Sequence, residues 1–418
     1  MYTTMTKPFN LSKIPEFNNL VNGVSTETNI LKLNSIECKK SNDQKYSVIR
    51  YLKEFLSLDV IPTYGLCRSV IINSKHKVVG FAPPKSTPSD TFIKMYPEKN
   101  ENLIAEEFVE GTMINVFWDP AIGVAGGWEI STRNTVGAAS SFFKGKNKTF
   151  RDMFLEAAKV NNLLLEHLNK EFCYSFVLQH PDNRIVVPFK KPTLYLIALY
   201  SIQIVDNDVC VYSYPIDNVK KFNWGPTIIN FPQIYEWNAY SDLIEKYASM
   251  NTSYDVLGVV VYNNQTGERM KIRNPVYEQV RSLRGNQPKL QYQYICLRKS
   301  GKVSEFLKFY PENKKEFSTF RDQIHMFTNT LFSNYMSCYV KKEKPLINFS
   351  EQYRTHMFNI HKIYMDDLRE KKLFVNNTIV KNFVNNLHPT LLMYSLNFQM
   401  RKRNVDTIAA DNDDNFTK

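Results

Sequence analysis

The sequence predicts an α+β protein, with a strand-rich first part and an all-helical last part. Two observations carry this. From Cys67 to Arg273, short β-branched and aromatic runs alternate with Gly, Pro and Asn turns. After about Pro288, apolar residues recur at helical spacing instead, over Glu305 to Tyr339, Phe349 to Phe374 and Asn376 to Asn397. The 418 residues leave ample material for more than one core. The expected division is an N-terminal arm over 1–45, a strand-rich domain over 46–287, a helical domain over 288–403 and a disordered polar tail over 404–418.

Taken in order, residues 1–45 are polar and Asn-rich, with short apolar runs such as Ile30 to Leu33. Tyr46 to Leu56 has helical spacing. Ser69 to Ile72 and Lys77 to Phe81 flank Asn73-Ser74-Lys75-His76, a hairpin pattern. Pro83 and Pro84 remove ladder donors, so the following stretch is a loop that projects Lys85. Glu110-Gly111-Thr112 reads as a turn into a strand, Met113 to Trp118, and its Gly lets a ligand or another backbone come close. A glycine loop leads to a second strand, Trp128 to Thr132, and on to Arg133. Arg151 to Lys170 is an amphipathic helix with Phe154, Ala157, Ala158, Leu164, Leu165 and Leu168 near one face. Tyr174 to Leu178, Ile185 to Val187, Leu194 to Tyr200 and Val209 to Tyr212 alternate strand and turn, and Tyr240 to Met250 is helical. Val256 to Tyr262 is a buried strand, which Asn263 to Gly267 turns back into Arg269 to Arg273.

The formal net charge of +12 favours a polyanionic partner such as nucleic acid or nucleotide phosphates. Six scattered cysteines form no Cys-x-x-Cys pair and have no His at zinc-ligand spacing. They read as reduced thiols of a cytoplasmic protein. The N-terminus has no apolar core of a signal peptide, and no apolar run is long enough to span a membrane, so neither a leader nor a membrane partner is expected. His356 and His361 are five apart, off the spacing of a helical metal pair, and no metal ligand set is assigned.

Several segments fall in an order that carries chemistry. They are Leu66-Cys67-Arg68, Lys77 to Lys85, Phe108-Val109-Glu110-Gly111-Thr112-Met113 and Ser131-Thr132-Arg133-Asn134. Further on come Phe176 to Val186 with its Pro-x-Asn-Arg-Ile-Val run, Leu257-Gly258-Val259-Val260, and Lys271-Ile272-Arg273. Over roughly residues 45–285 this series resembles the covalent nucleotidyltransferases, most closely the phage-type ATP-dependent RNA ligases. The resemblance implies an ATP-grasp-like nucleotidyltransferase core of antiparallel sheets, a helical appendage and, if the protein is active, use of ATP and Mg2+. In such enzymes a motif I lysine attacks the α-phosphate of ATP, carboxylates of motifs III and IV hold metal and ribose, and basic residues of motifs Ia and V neutralise the phosphoryl charge.

Position by position, the resemblance places Phe108 at the lysine nucleophile. It places Val177, or Ser175 if the alignment slips, at the motif III carboxylate, and Leu257 at the motif IV carboxylate. The cationic positions remain as Arg133, Lys271 and Arg273, with Arg184 and the Glu110-Gly111 turn beside them, and these six are the candidate nucleotide- or phosphate-binding residues. Apolar replacements remove buried groups that would otherwise need partners. The pattern therefore reads as a pseudoenzyme, an RNA-binding and ATP-binding fold of viral kind that has given up adenylyl transfer. The alternatives are an active ligase whose nucleophile has moved to Lys85 or Lys94, or to the loop carrying Lys144, Lys146 and Lys148, with Glu106, Glu107 or Glu129 as substitute metal ligands, and a structural subunit that meets an assembly partner through the old pocket.

Overall fold

The computed structural model describes residues 7–24, 30–38, 44–141 and 148–401. The chain forms two compact units that divide between Arg281 and Ser282. Among the described residues, all the strands lie in the first. In chain order they are β1 Phe9–Asn10, β2 Leu31–Cys38, β3 Gln44–Tyr51, β4 Val70–Ile72, β5 Val78–Phe81, β6 Leu103–Glu107 and β7 Thr112–Asp119. There follow β8 Gly127–Ser131, β9 Phe172–Gln179, β10 Thr193–Val205, β11 Asp208–Tyr214, β12 Ile234–Tyr235, β13 Gly258–Asn263 and β14 Arg269–Arg273.

These strands build three antiparallel sheets, of order β1-β11-β10-β9-β7-β8, β12-β6-β13-β14 and β2-β3-β4-β5. The expected α+β architecture, antiparallel sheets followed by a helical unit, is the one observed. One core lies between the first and third sheets, where Tyr46, Ile49, Val70 and Phe81 meet Phe117, Tyr200 and Val211. A second lies under the helix Phe150–Val160, whose Phe154 and Ala157 pack on Ile114, Phe176 and Leu196. A third closes the far face of the second sheet, where Met270, Val259 and Val261 meet Phe92, Trp237 and Leu243.

Several elements differ from expectation. Residues 185–187, expected as a strand, form a loop, because the Val186 and Val187 N–H groups are taken by the Glu110 carboxylate. Residues 46–51 form a strand, not a helix, because Tyr46, Val48, Ile49 and Tyr51 fit a pleated surface and are buried there. Residues 9–10 and 31–38, expected as an arm, supply strands to two sheets. The helix expected over 151–170 ends at Val160, since Asn161 folds back onto the Ala157 carbonyl and Asn162 turns left-handed at φ 51. Its start is firm: Thr149 and Asp152 cap it reciprocally.

The second unit is helical throughout its described residues, including Leu290–Lys299, Lys314–Tyr335, Glu351–Ile363 and Asn377–Asn386. The helix expected from Glu305 is interrupted at Pro311, which cannot donate to the ladder. Its core is aromatic, with Phe306 stacked on Phe317 at 5.0 Å. His356 is buried and meets the Ser395 hydroxyl at 2.8 Å, and His361 stacks on Tyr339, so both pack. No helix among the described residues is long and apolar enough to cross a membrane. The tail over 404–418 lies outside the described residues.

The first and third sheets are pinned by Asp119, which is fully buried at the end of β7. Its carboxylate accepts from the Tyr46 hydroxyl at 2.8 Å, the Asn73 amide at 2.8 Å and the Ala121 N–H at 2.9 Å. An Asp119→Ala substitution strands two buried donors. It is expected to lower the stability of the first unit by about 3 kcal/mol in urea unfolding. An Asp182→Ala change at an exposed pair should cost less than about 1 kcal/mol.

Candidate nucleotide-phosphate cleft

Strand pleating makes the site. In β14, Arg269, Lys271 and Arg273 occupy alternate positions and so share one face, while Met270 and Ile272 turn into the third core. Register sets Arg269 beside Tyr262, Lys271 beside Val260 and Arg273 beside Gly258. On the other side of β13, Glu106 lies beside Val260, and the Phe108 N–H reaches the Gly258 carbonyl at 3.2 Å. Cations on β14 thus face Glu106 and Phe108 across one strand.

This face is the floor of a cleft of about 280 Å³, at the small end of ligand pockets. Its walls include Arg68 from the third-sheet side, Val177 from β9, Leu257 at the entry to β13, and Glu110 and Gly111 from the turn before β7. Phe108, Val177 and Leu257 therefore converge on one space. Ser175, the other register considered for motif III, is fully buried and donates to Asn115 Oδ1 at 2.8 Å, away from the cleft.

The electrostatics are lopsided. Burial, then the charges of Arg269, Arg68, Arg273 and Lys85, push the Lys271 amine down to about 6. Burial, then Arg269, lowers Arg68 to about 10. The Phe108 ring pulls the other way: Lys271 Nζ lies 4.4 Å and the Arg273 guanidinium 5.3 Å from its centroid, a position that favours the charged forms. Glu106 is buried with Oε2 unpartnered, and burial raises its carboxyl to about 8.

The remaining expected site residues take several places. Glu110 is not a free turn carboxylate. It is buried and accepts from the Val186 N–H at 2.8 Å and the Val187 N–H at 3.1 Å, and burial outweighs these bonds to raise it to about 7. Gly111 has φ 149, and a Cβ there would meet the Leu178 carbonyl at 2.5 Å, so its freedom serves a backbone, not a ligand. Arg184 turns back to donate to the Val186 carbonyl at 2.9 Å, in the same loop. Arg133 lies over the Tyr51 ring at 5.2 Å, outside the cleft lining. Lys85 donates to the Ser86 carbonyl at 3.1 Å, and Lys94 is exposed on the helix Ser89–Met95; neither lines the cleft. Lys148 pairs with Glu156 at 2.6 Å and Asp182 at 3.2 Å, while Lys144 and Lys146 lie outside the described residues. Glu129 is fully buried and bound to Arg151 at 2.5 Å.

Sequence reasoning missed Arg269 and Arg68 as site residues. Their signal was present. Arg-Met-Lys-Ile-Arg alternates charge and apolar at the strand period, which puts Arg269 on the same face as the motif V pair.

The fold and its site are those of antiparallel sheets that meet at a cationic cleft. Comparison with known proteins narrows the class. No family model matches the chain. It is 28% identical over 199 residues, 41% of this chain and 44% of the relative, to an RNA ligase of Rhodothermus phage RM378. It is 23% identical over 296 residues, 62% of each, to an immediate-early protein ICP-46 homolog of Invertebrate iridescent virus 6. The chain thus spans 44% and 62% of the lengths of these two viral relatives. Among solved structures, an archaeal ATP-dependent RNA ligase aligns over 84% of this chain and 82% of its own, at 10% identity and a TM-score of 0.37. A Naegleria gruberi RNA ligase mutant with ATP and Mn aligns over 59% and 76%, at 14% identity and a TM-score of 0.34. The sequence similarity of this chain is thus to one phage RNA ligase and to one viral immediate-early protein homolog.

The depressed Lys271 amine makes a pH prediction. An anion in the cleft favours the ammonium, so binding takes up a proton at any pH above about 6 and affinity falls as pH rises from there. Glu106 and Glu110 act in the same sense, since both lose their protons as pH rises through about 8 and 7. Titration of the protein with inorganic sulfate, a dianion throughout the range, from pH 6 to 9 is expected to show this fall. Lys271→Met should bind more weakly at pH 6 and lose part of the pH slope, leaving the part due to the two glutamates.

Proposed function

We propose that this chain is an RNA-ligase-like nucleotidyltransferase-fold protein that holds RNA or nucleotide phosphates in the cleft without forming a lysine–adenylate. One observation carries the reading. Phe108, Val177 and Leu257 converge on a space whose charged wall is Arg68, Arg269, Lys271 and Arg273. A phenyl ring has no lone pair with which to attack phosphorus, and neither Val177 nor Leu257 offers an oxygen to a metal or a ribose. The cations of such a site remain able to hold phosphate without those groups.

The net charge of +12 and the sequence similarity to a phage RNA ligase support an RNA partner. The relocated nucleophiles are less well placed: Lys94 is exposed on its helix, and Lys85, though burial and neighbouring cations lower its amine, donates to a neighbouring carbonyl outside the cleft lining.

Incubation with α-labelled ATP and magnesium, followed by denaturation, tests the reading. No protein-bound label is expected, and a label that survives denaturation overturns it. Single-stranded RNA binding is expected to weaken with salt at a log–log slope of about −3, as for four neutralised phosphates. Loss of both adduct and salt-sensitive binding would leave a structural subunit of a larger assembly.

A further inference from the structure

We propose that the cleft binds a polyphosphate chain without a divalent cation, with Arg68, Arg269, Lys271 and Arg273 supplying the counter-charge that a metal ion gives in a ligase. This rests on the reading of the cleft as a phosphate site and deepens it.

The metal that the ligase resemblance implies can be tested against the donors present. Among the described residues, no group of three His, Cys, Asp or Glu side chains is placed to hold a metal ion. Three glutamates touch the cleft. Glu107 is on the opposite pleat of β6 from Glu106, at the β12 edge, where it accepts from the Gln233 N–H at 3.3 Å. Glu110 is committed to two backbone N–H groups. Glu106 keeps a buried oxygen without a partner, and its burial favours the neutral acid at pH 7. Val177 and Leu257 contribute only carbon. A divalent ion here would meet the guanidiniums of Arg68, Arg269 and Arg273, an amine that those charges hold down, and one neutral carboxyl, so the residues do not fit it.

They do fit a free polyphosphate. Three of the cations sit on one strand at two-residue spacing, and Arg68 faces them from the turn that leads into β4. Arg273 is paired with Glu278 at 2.5 Å, but the remaining repulsion among these cations lowers both Arg68 and Lys271 after burial. A chain of phosphates relieves it directly. Magnesium bound to that chain would cancel two of its charges and carry a cation into a cationic site.

Calorimetric titration of the full chain with ATP, in EDTA and then in excess magnesium, tests the inference. Binding is expected in EDTA, and magnesium should weaken it by about tenfold. Arg269→Met and Lys271→Met should each weaken binding in EDTA. A 5′-triphosphorylated RNA oligonucleotide against its 5′-hydroxyl counterpart distinguishes an RNA end from a free nucleotide as the source of the phosphates. Binding that appears only with magnesium overturns the metal-free inference while leaving a phosphate cleft. Absence of binding by either probe under both conditions ends the phosphate reading itself.

Discussion

The cleft is organised by repulsion among cations that a β-strand holds on one face, eased only in part by the Arg273–Glu278 pair. Arg269, Lys271 and Arg273 cannot move apart, because the residues between them, Met270 and Ile272, are locked into a core on the other side of the sheet. Arg68 is brought against them from the turn that leads into β4 of the third sheet. Arg269 also anchors the proline loop, donating to the Pro84 carbonyl at 2.7 Å, which ties that sheet's exit to β14. An array of this kind is costly when empty and is stabilised by whatever anion enters it.

The rest of the pocket is scaffold. Glu110 binds the amides of Val186 and Val187, so the turn before β7 and the loop after β9 are held by one buried carboxyl, with Tyr277 against it. Gly111 and Gly258 both have positive φ, and a Cβ at Gly258 would meet the Ile272 carbonyl at 2.1 Å. These residues shape the walls on which Phe108, Val177 and Leu257 stand. Such a scaffold leaves the groups it presents free to differ, because the packing constraint and the chemistry fall on different atoms.

Much of this was legible in the sequence. The antiparallel core and helical second unit followed from period and turn residues, and the convergence of Phe108, Val177 and Leu257 followed from motif order. The strand at 46–51 was misread because its apolar residues also satisfy a helical spacing, and only pairing with β2 and β4 decides between them. Glu110 and Arg184 looked like ligand residues because charge in a motif turn suggests a ligand. Their partners, two backbone amides and a carbonyl, are set by tertiary approach and leave no sequence signal. Arg269 was overlooked because it lies just outside the motif, although the strand period places it on the same face.

The most direct test of the central claim is a crystal structure of the protein with a nucleoside triphosphate. The account predicts phosphate oxygens within hydrogen-bond distance of Arg68, Arg269, Lys271 and Arg273, beside an intact Phe108 ring. Phosphates bound elsewhere, or density joining a lysine nitrogen to the α-phosphorus, would contradict it.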